Sequence, residues 1–110
     1  MIHCKESVHF RILRHEMWNL FSAFEAIFAQ YGYECVITCG TDGHTPDDPH
    51  YNGFAIDLRS KHLPAGLSHT ILLDMREAAG TDYYIFIEAE GTDNEHYHCQ
   101  IRKDLWRSLL

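Results

Sequence analysis

Early in the chain the apolar residues return at steps of three and four. Leu13, Met17, Leu20, Phe21, Phe24, Ile27, Phe28 and Tyr31 form one stripe, and Arg11, Arg14, Glu16, Asn19 and Glu25 fall mainly between them. This spacing predicts an amphipathic helix over residues 8–31. Gly32 is its expected stop, because glycine takes the left-handed backbone that closes a helix. The period then changes to two. Residues 33–39 (YECVITC), 54–58 (FAIDL), 83–88 (YYIFIE) and 95–101 (EHYHCQI) are short, rich in β-branched and aromatic residues, and bounded by Gly, Pro, Asn or Asp, so they predict strands. A second helix is predicted over residues 68–79. It has Ile71, Leu72, Met75 and Ala79 inward, Ser68 as N-cap and Gly80 as stop. Residues 103–110 form an expected short terminal helix, with Leu105, Trp106 and Leu109 packing back.

Alternation assigns faces within the strands. In 54–58, Phe54, Ile56 and Leu58 share one side, and Ala55 and Asp57 the other. In 95–101, His96, His98 and Gln100 lie together, opposite Tyr97, Cys99 and Ile101. The connections are short and helices do not alternate strictly with strands. The expected fold class is therefore α+β: an antiparallel sheet of about four strands, with the long N-terminal helix and the second helix packed on it. The exception among the connections is residues 40–53. This irregular stretch holds Asp42-Gly43, Pro46, Pro49 and Asn52-Gly53 together with His44 and His50. A loop of that length without structure is usually functional or disordered in a compact domain.

Composition narrows the function classes. A length of 110 residues points to one domain spanning 1–110. Net charge −7 argues against a nucleic-acid binder, which needs a basic surface. No apolar run approaches the ~20 residues of a membrane span. The N-terminus has no apolar signal region, so synthesis in a cytoplasm without a signal peptide is expected. Four cysteines, Cys4, Cys35, Cys39 and Cys99, are too sparse for a disulfide framework and are read as free thiols. A rival reading gathers Cys35, Cys39 and Cys99 with a histidine around a structural metal, but it lacks a matching second knuckle. Nine histidines are the compositional excess, and neutral imidazole is a common zinc ligand.

Two segments concentrate the chemistry. The first carries His50, Gly53, Ala55 and Asp57 in the spacing H-x-x-G-x-A-x-D. His50 can offer a ring nitrogen from the loop, and Asp57 a carboxylate oxygen from a strand. Gly53 lets the backbone turn between them, and Ala55 keeps the floor low. The second segment carries Glu95, His96 and His98. His98 makes a third ligand, and three protein ligands leave one position for water, the mark of a catalytic rather than structural zinc site. Glu95 is the candidate general base. His96, on the face of His98, is the candidate for oxyanion stabilisation. Alternatives stay open at this level. His96 can replace His98 as ligand, Glu88 or Glu90 can replace Glu95 as base, and Asp57 can instead pair with Arg59.

This pair of segments resembles the zinc peptidases of the hedgehog/D-Ala-D-Ala peptidase group. That group includes bacterial D-Ala-D-Ala dipeptidases and carboxypeptidases and phage L-alanyl-D-glutamate endolysins. The family pattern S-x-H-x-x-G-x-A-x-D, then E/D-x-x-H, is matched by residues 48–57 and 95–98. The resemblance covers about residues 33–101, and the wider stretch is similar to small phage members. It implies Zn2+ held by His50, Asp57 and His98, with Glu95 as general base. It implies an α+β fold around an antiparallel sheet and a peptidoglycan peptide as substrate, cut at the bacterial wall or from a phage particle. Two positions depart from the pattern. Asp48 stands where the family has serine, and no counterpart is evident for the arginine that steadies substrate in some members, since Arg11 and Arg14 lie on the expected helix. The competing expectation is a non-catalytic zinc-binding phage or virion component with the same fold.

Overall fold

The computed structural model describes residues 2–6, 13–39 and 53–106, with Cys39 described by its backbone alone. Five strands and two helices follow in the order β1 (Ile2–Cys4), α1 (His15–Gln30), β2 (Cys35–Cys39), β3 (Ala55–Arg59), α2 (Leu67–Ala79), β4 (Tyr83–Glu88) and β5 (His96–Ile101). A 3-10 turn at Lys103–Leu105 follows, at the start of the expected terminal helix, whose residues 107–110 lie outside the described chain. The strands form one sheet in the order β1-β2-β3-β5-β4. Adjacent pairs are antiparallel except β1 and β2, which run parallel.

The architecture is α+β, as the pattern predicts, but the sheet is mixed and has one strand more than expected. β1 has a physical reason to escape notice. Its three residues, Ile-His-Cys, are half-buried or exposed and show no alternation. Pairing makes it a strand: it lines up with β2 through Ile2–Cys35, His3–Val36 and Cys4–Ile37. The Ile2 amide also donates to the Glu25 carboxylate of α1 at 3.0 Å.

Helix α1 begins at His15, later than the stripe suggests; residues 7–12 lie outside the described chain. A long-range contact accompanies the start. The Arg14 amide donates to the Gly53 carbonyl at 3.0 Å, and Arg14 is extended, at φ −66° and ψ 145°. Glu16 then sits in the first turn, where the helix dipole favours an anion. The stop is where the sequence puts it: Gly32 has φ +82° and donates its N–H to Ala29. Ser68 is not the cap of α2. The N-cap is Gly66, and the Ser68 carbonyl accepts a hydrogen bond from the Tyr97 hydroxyl at 2.6 Å.

Both helices cover one face of the sheet. Met17, Phe24 and Phe28 of α1 and Ile71 and Met75 of α2 are fully shielded, and they pack with Ile37, Ile56, Leu58, Tyr97 and Cys99. Burying side chains of this size contributes about 1.5–3 kcal/mol each. The opposite face carries the odd residues of β3 and the even residues of β4 and β5. Among the described residues, no helix is long and apolar enough to cross a membrane.

Candidate functional site

The helix-free face is where the two chemical segments meet. Gly53, with φ +77°, leads the chain into β3, the left-handed turn its place in the motif asks for. The β3–β5 register sets Asp57 opposite His98, Ala55 opposite Gln100 and Arg59 opposite His96. The β4–β5 register adds Phe86 opposite His98 and Glu88 opposite His96. Directly opposed residues in antiparallel strands lie about 4.5–5.5 Å apart, so their side chains meet.

A ring of four polar side chains results. His98 Nδ1 is 3.1 Å from Asp57 Oδ1 and 3.4 Å from Glu88 Oε1. His96 Nε2 is 3.6 Å from Asp57 Oδ2 and 3.4 Å from Glu88 Oε2. Each carboxylate therefore faces both imidazoles. The rings are held from behind. His98 Nε2 donates to Gln100 Oε1 at 2.7 Å, and His96 Nδ1 donates to the Asn94 carbonyl at 2.6 Å. Those bonds leave His98 Nδ1 and His96 Nε2 turned toward the acids. The Phe86 ring lies over His98 with centroids 5.0 Å apart, and His98 is only 7% exposed.

Electrostatics follow from this geometry. Burial is the largest influence on His98 and pulls its pKa down. Hydrogen bonds to Asp57 and Gln100, with the charges of Asp57 and Glu88, together outweigh it, and the net direction is up. The ring is thus an environment for positive charge. A proton on His98 answers it, and a cation answers the same acceptors, since metal and proton compete for an imidazole nitrogen.

The predicted site residues fare differently. Asp57, His96 and His98 are brought together. His50, with His44 and the rest of residues 40–52, lies outside the described chain. Glu95, just before β5, is engaged in two hydrogen bonds: its carboxylate accepts from Ser60 Oγ at 2.6 Å and from the Gly91 amide at 3.1 Å. Those two bonds, the Ser60 one first, hold its pKa below the ordinary carboxylate value. Glu90 pairs with His69 at 2.7 Å. Glu88 occupies the position beside both imidazoles, which the hairpin register decides, and Gln100 supports His98. The sequence placed Gln100 on the correct face but gave it no role. Arg14 lies over the Phe54 ring at 4.9 Å.

The donor chemistry of Asp57 and His98, a carboxylate and an imidazole on rigid neighbouring strands, fits a zinc site. Among the described residues, no group of three or more His, Cys, Asp or Glu is arranged to hold a metal ion. The third member of the expected set, His50, lies outside the described residues. Cys35 and Cys99 are free thiols in the core. Burial, the main cause for both, raises Cys35 to about 12 and Cys99 well above its ordinary value. Thiols held protonated in this way are poor metal ligands.

Comparison with protein-family models, curated proteins and solved structures found no match to this chain.

Proposed function

We propose that this chain is a zinc-dependent peptidase of the hedgehog/D-Ala-D-Ala peptidase type, hydrolysing an amide bond in the peptide part of peptidoglycan. One observation carries the reading: His98 Nδ1 approaches Asp57 Oδ1 to 3.1 Å across paired strands. These are the two motif residues that must converge although 41 positions separate them. His50, three positions before Gly53 in the sequence, is the third ligand of this reading. When bound, zinc polarises a carbonyl and lowers the pKa of its water to about 7.

The chain's own residues have separate tasks. Asp57 and His98 supply ligand atoms from strands, which hold position better than loops. Gln100 fixes which His98 nitrogen faces the site, a support that ligating histidines generally need. As an imidazolium, with Nδ1–H given to the Asn94 carbonyl, His96 donates its Nε2–H to an oxyanion. Phe86 shields His98 from water. For proton transfer, the motif nominates Glu95. A second reading nominates Glu88, and its place 3.4 Å from both imidazoles favours it.

The test is mass spectrometry of purified peptidoglycan fragments, with and without a chelator, alongside zinc analysis. The parent is expected to carry zinc and to release new peptide termini. Asp57→Ala is expected to lose zinc and cleavage together. Undiminished cleavage after exhaustive chelation would end the zinc reading. Bound zinc with no cleavage across several wall chemistries would favour the non-catalytic phage or virion component.

A further inference from the structure

Next to the histidine and acid ring, the sheet face opens into a second pocket of about 190 Å³. Its lining includes Lys5, Thr38, Arg59, Lys61, Asn94 and His96. His96 thus belongs to both places: it lines this pocket, and its Nε2 faces Asp57 and Glu88. Three cations gather here in a chain of net charge −7. Two acids, Asp93 and Glu95, share the rim, but Glu95 is already bonded to Ser60 and Gly91. Lys61 Nζ donates to the Asp93 carbonyl. Among the described residues, the guanidinium of Arg59 makes no hydrogen bond or ion pair, although it is half-buried. A guanidinium has five donors in a planar fork that matches a carboxylate.

We propose that Arg59, assisted by Lys5 and Thr38, forms an anion subsite that takes the C-terminal carboxylate of the substrate peptide. This rests on the peptidase reading above and selects carboxypeptidase-type cleavage within it. Arg59 lies two residues beyond Asp57 on β3, on the same face and opposite His96. Two residues of strand span about 6.7 Å, and each peptide residue spans at most about 3.6 Å. A peptide with its scissile carbonyl at Asp57 and His98 therefore sets a carboxylate one or two residues further on beside Arg59. A carboxylate there gains two parallel charge-assisted bonds, and an amide end, with one neutral acceptor oxygen, gains at most a single weaker one.

The experiment is an NMR titration of the full, zinc-free chain with acetylated D-alanyl-D-alanine, with its C-terminal amide, and with inorganic phosphate. The free acid is expected to bind about tenfold or more tighter than the amide, the range for a hydrogen-bonded charged group. Arg59→Gln is expected to erase that difference, chiefly by weakening the free acid, while Arg59→Lys restores part of it. Thermal melting of each variant separates this from loss of fold. Equal binding of acid and amide, retained discrimination in Arg59→Gln, or phosphate binding as tight as the free acid would each overturn the subsite. Cleavage assays keep the two readings apart. Discrimination without cleavage upholds the subsite and sinks the peptidase, and cleavage without discrimination does the reverse.

Discussion

The two faces of the sheet are built from the same strands and treat buried ionisable groups in opposite ways. On β5, Cys99 points under the helices and His98 points away from them. Both are shielded, at 0% and 7% exposure. Burial drives the Cys99 thiol up and keeps it neutral. On His98 burial pulls toward the neutral form too, but Asp57, Gln100 and Glu88 outweigh it. β3 repeats the contrast, with Ile56 and Leu58 inward and Asp57 between them outward. One face excludes water by bulk. The other holds polar groups in place through one another, which leaves it able to bind a charge.

The sharpest way to break this comparison is to remove a carboxylate from the polar face. Glu88→Gln is expected to keep zinc and to lose about 10²–10⁴-fold in peptidoglycan cleavage, the usual worth of a positioned proton carrier. Glu95→Gln is expected to lose less than about tenfold, because that carboxylate serves Ser60 and Gly91. The reverse order in steady-state rates would return the base role to Glu95.

The next effect concerns stability rather than rate. Phe24→Ala on the helix face, where Phe24 is 0% exposed, is expected to cost about 3–5 kcal/mol. Phe86→Ala on the polar face, where the ring is 37% exposed, is expected to cost less than about 2 kcal/mol. Urea unfolding midpoints measure both, and equal losses would mean that the faces do not divide frame from site.

The smallest effect is in acid. Glu95 has a folded pKa below its ordinary value, chiefly through Ser60 and then the Gly91 amide. An acid held this way stabilises the fold above the ordinary carboxylate range, and the contribution fades as pH falls through the folded value. Glu95→Gln should therefore melt closer to the parent at pH 3 than at pH 7. A constant gap between the two melting curves would show that the Ser60 bond contributes nothing that depends on ionisation.

Much of this division was legible along the chain. The alternation in 54–58 and 95–101 assigned Asp57 to the face opposite Ile56 and Leu58, and grouped His96, His98 and Gln100. The loop–glycine–strand spacing also set Gly53 before β3. The neighbours were not legible. Glu88 stands beside both imidazoles because the β4–β5 register pairs it with His96, and a run such as YYIFIE does not state its register. β1 escaped because three residues without alternation become a strand only when β2 offers an edge.

The sequence by itself determined both helices, four of the five strands and the face their side chains take, because helix and strand periods are local consequences of backbone geometry. The tertiary structure alone decided which faces meet: the partners of His98, the bonds that engage Glu95, and the place of Arg59 opposite His96. Those depend on strand order and register, which are set by pairing between segments far apart in the chain.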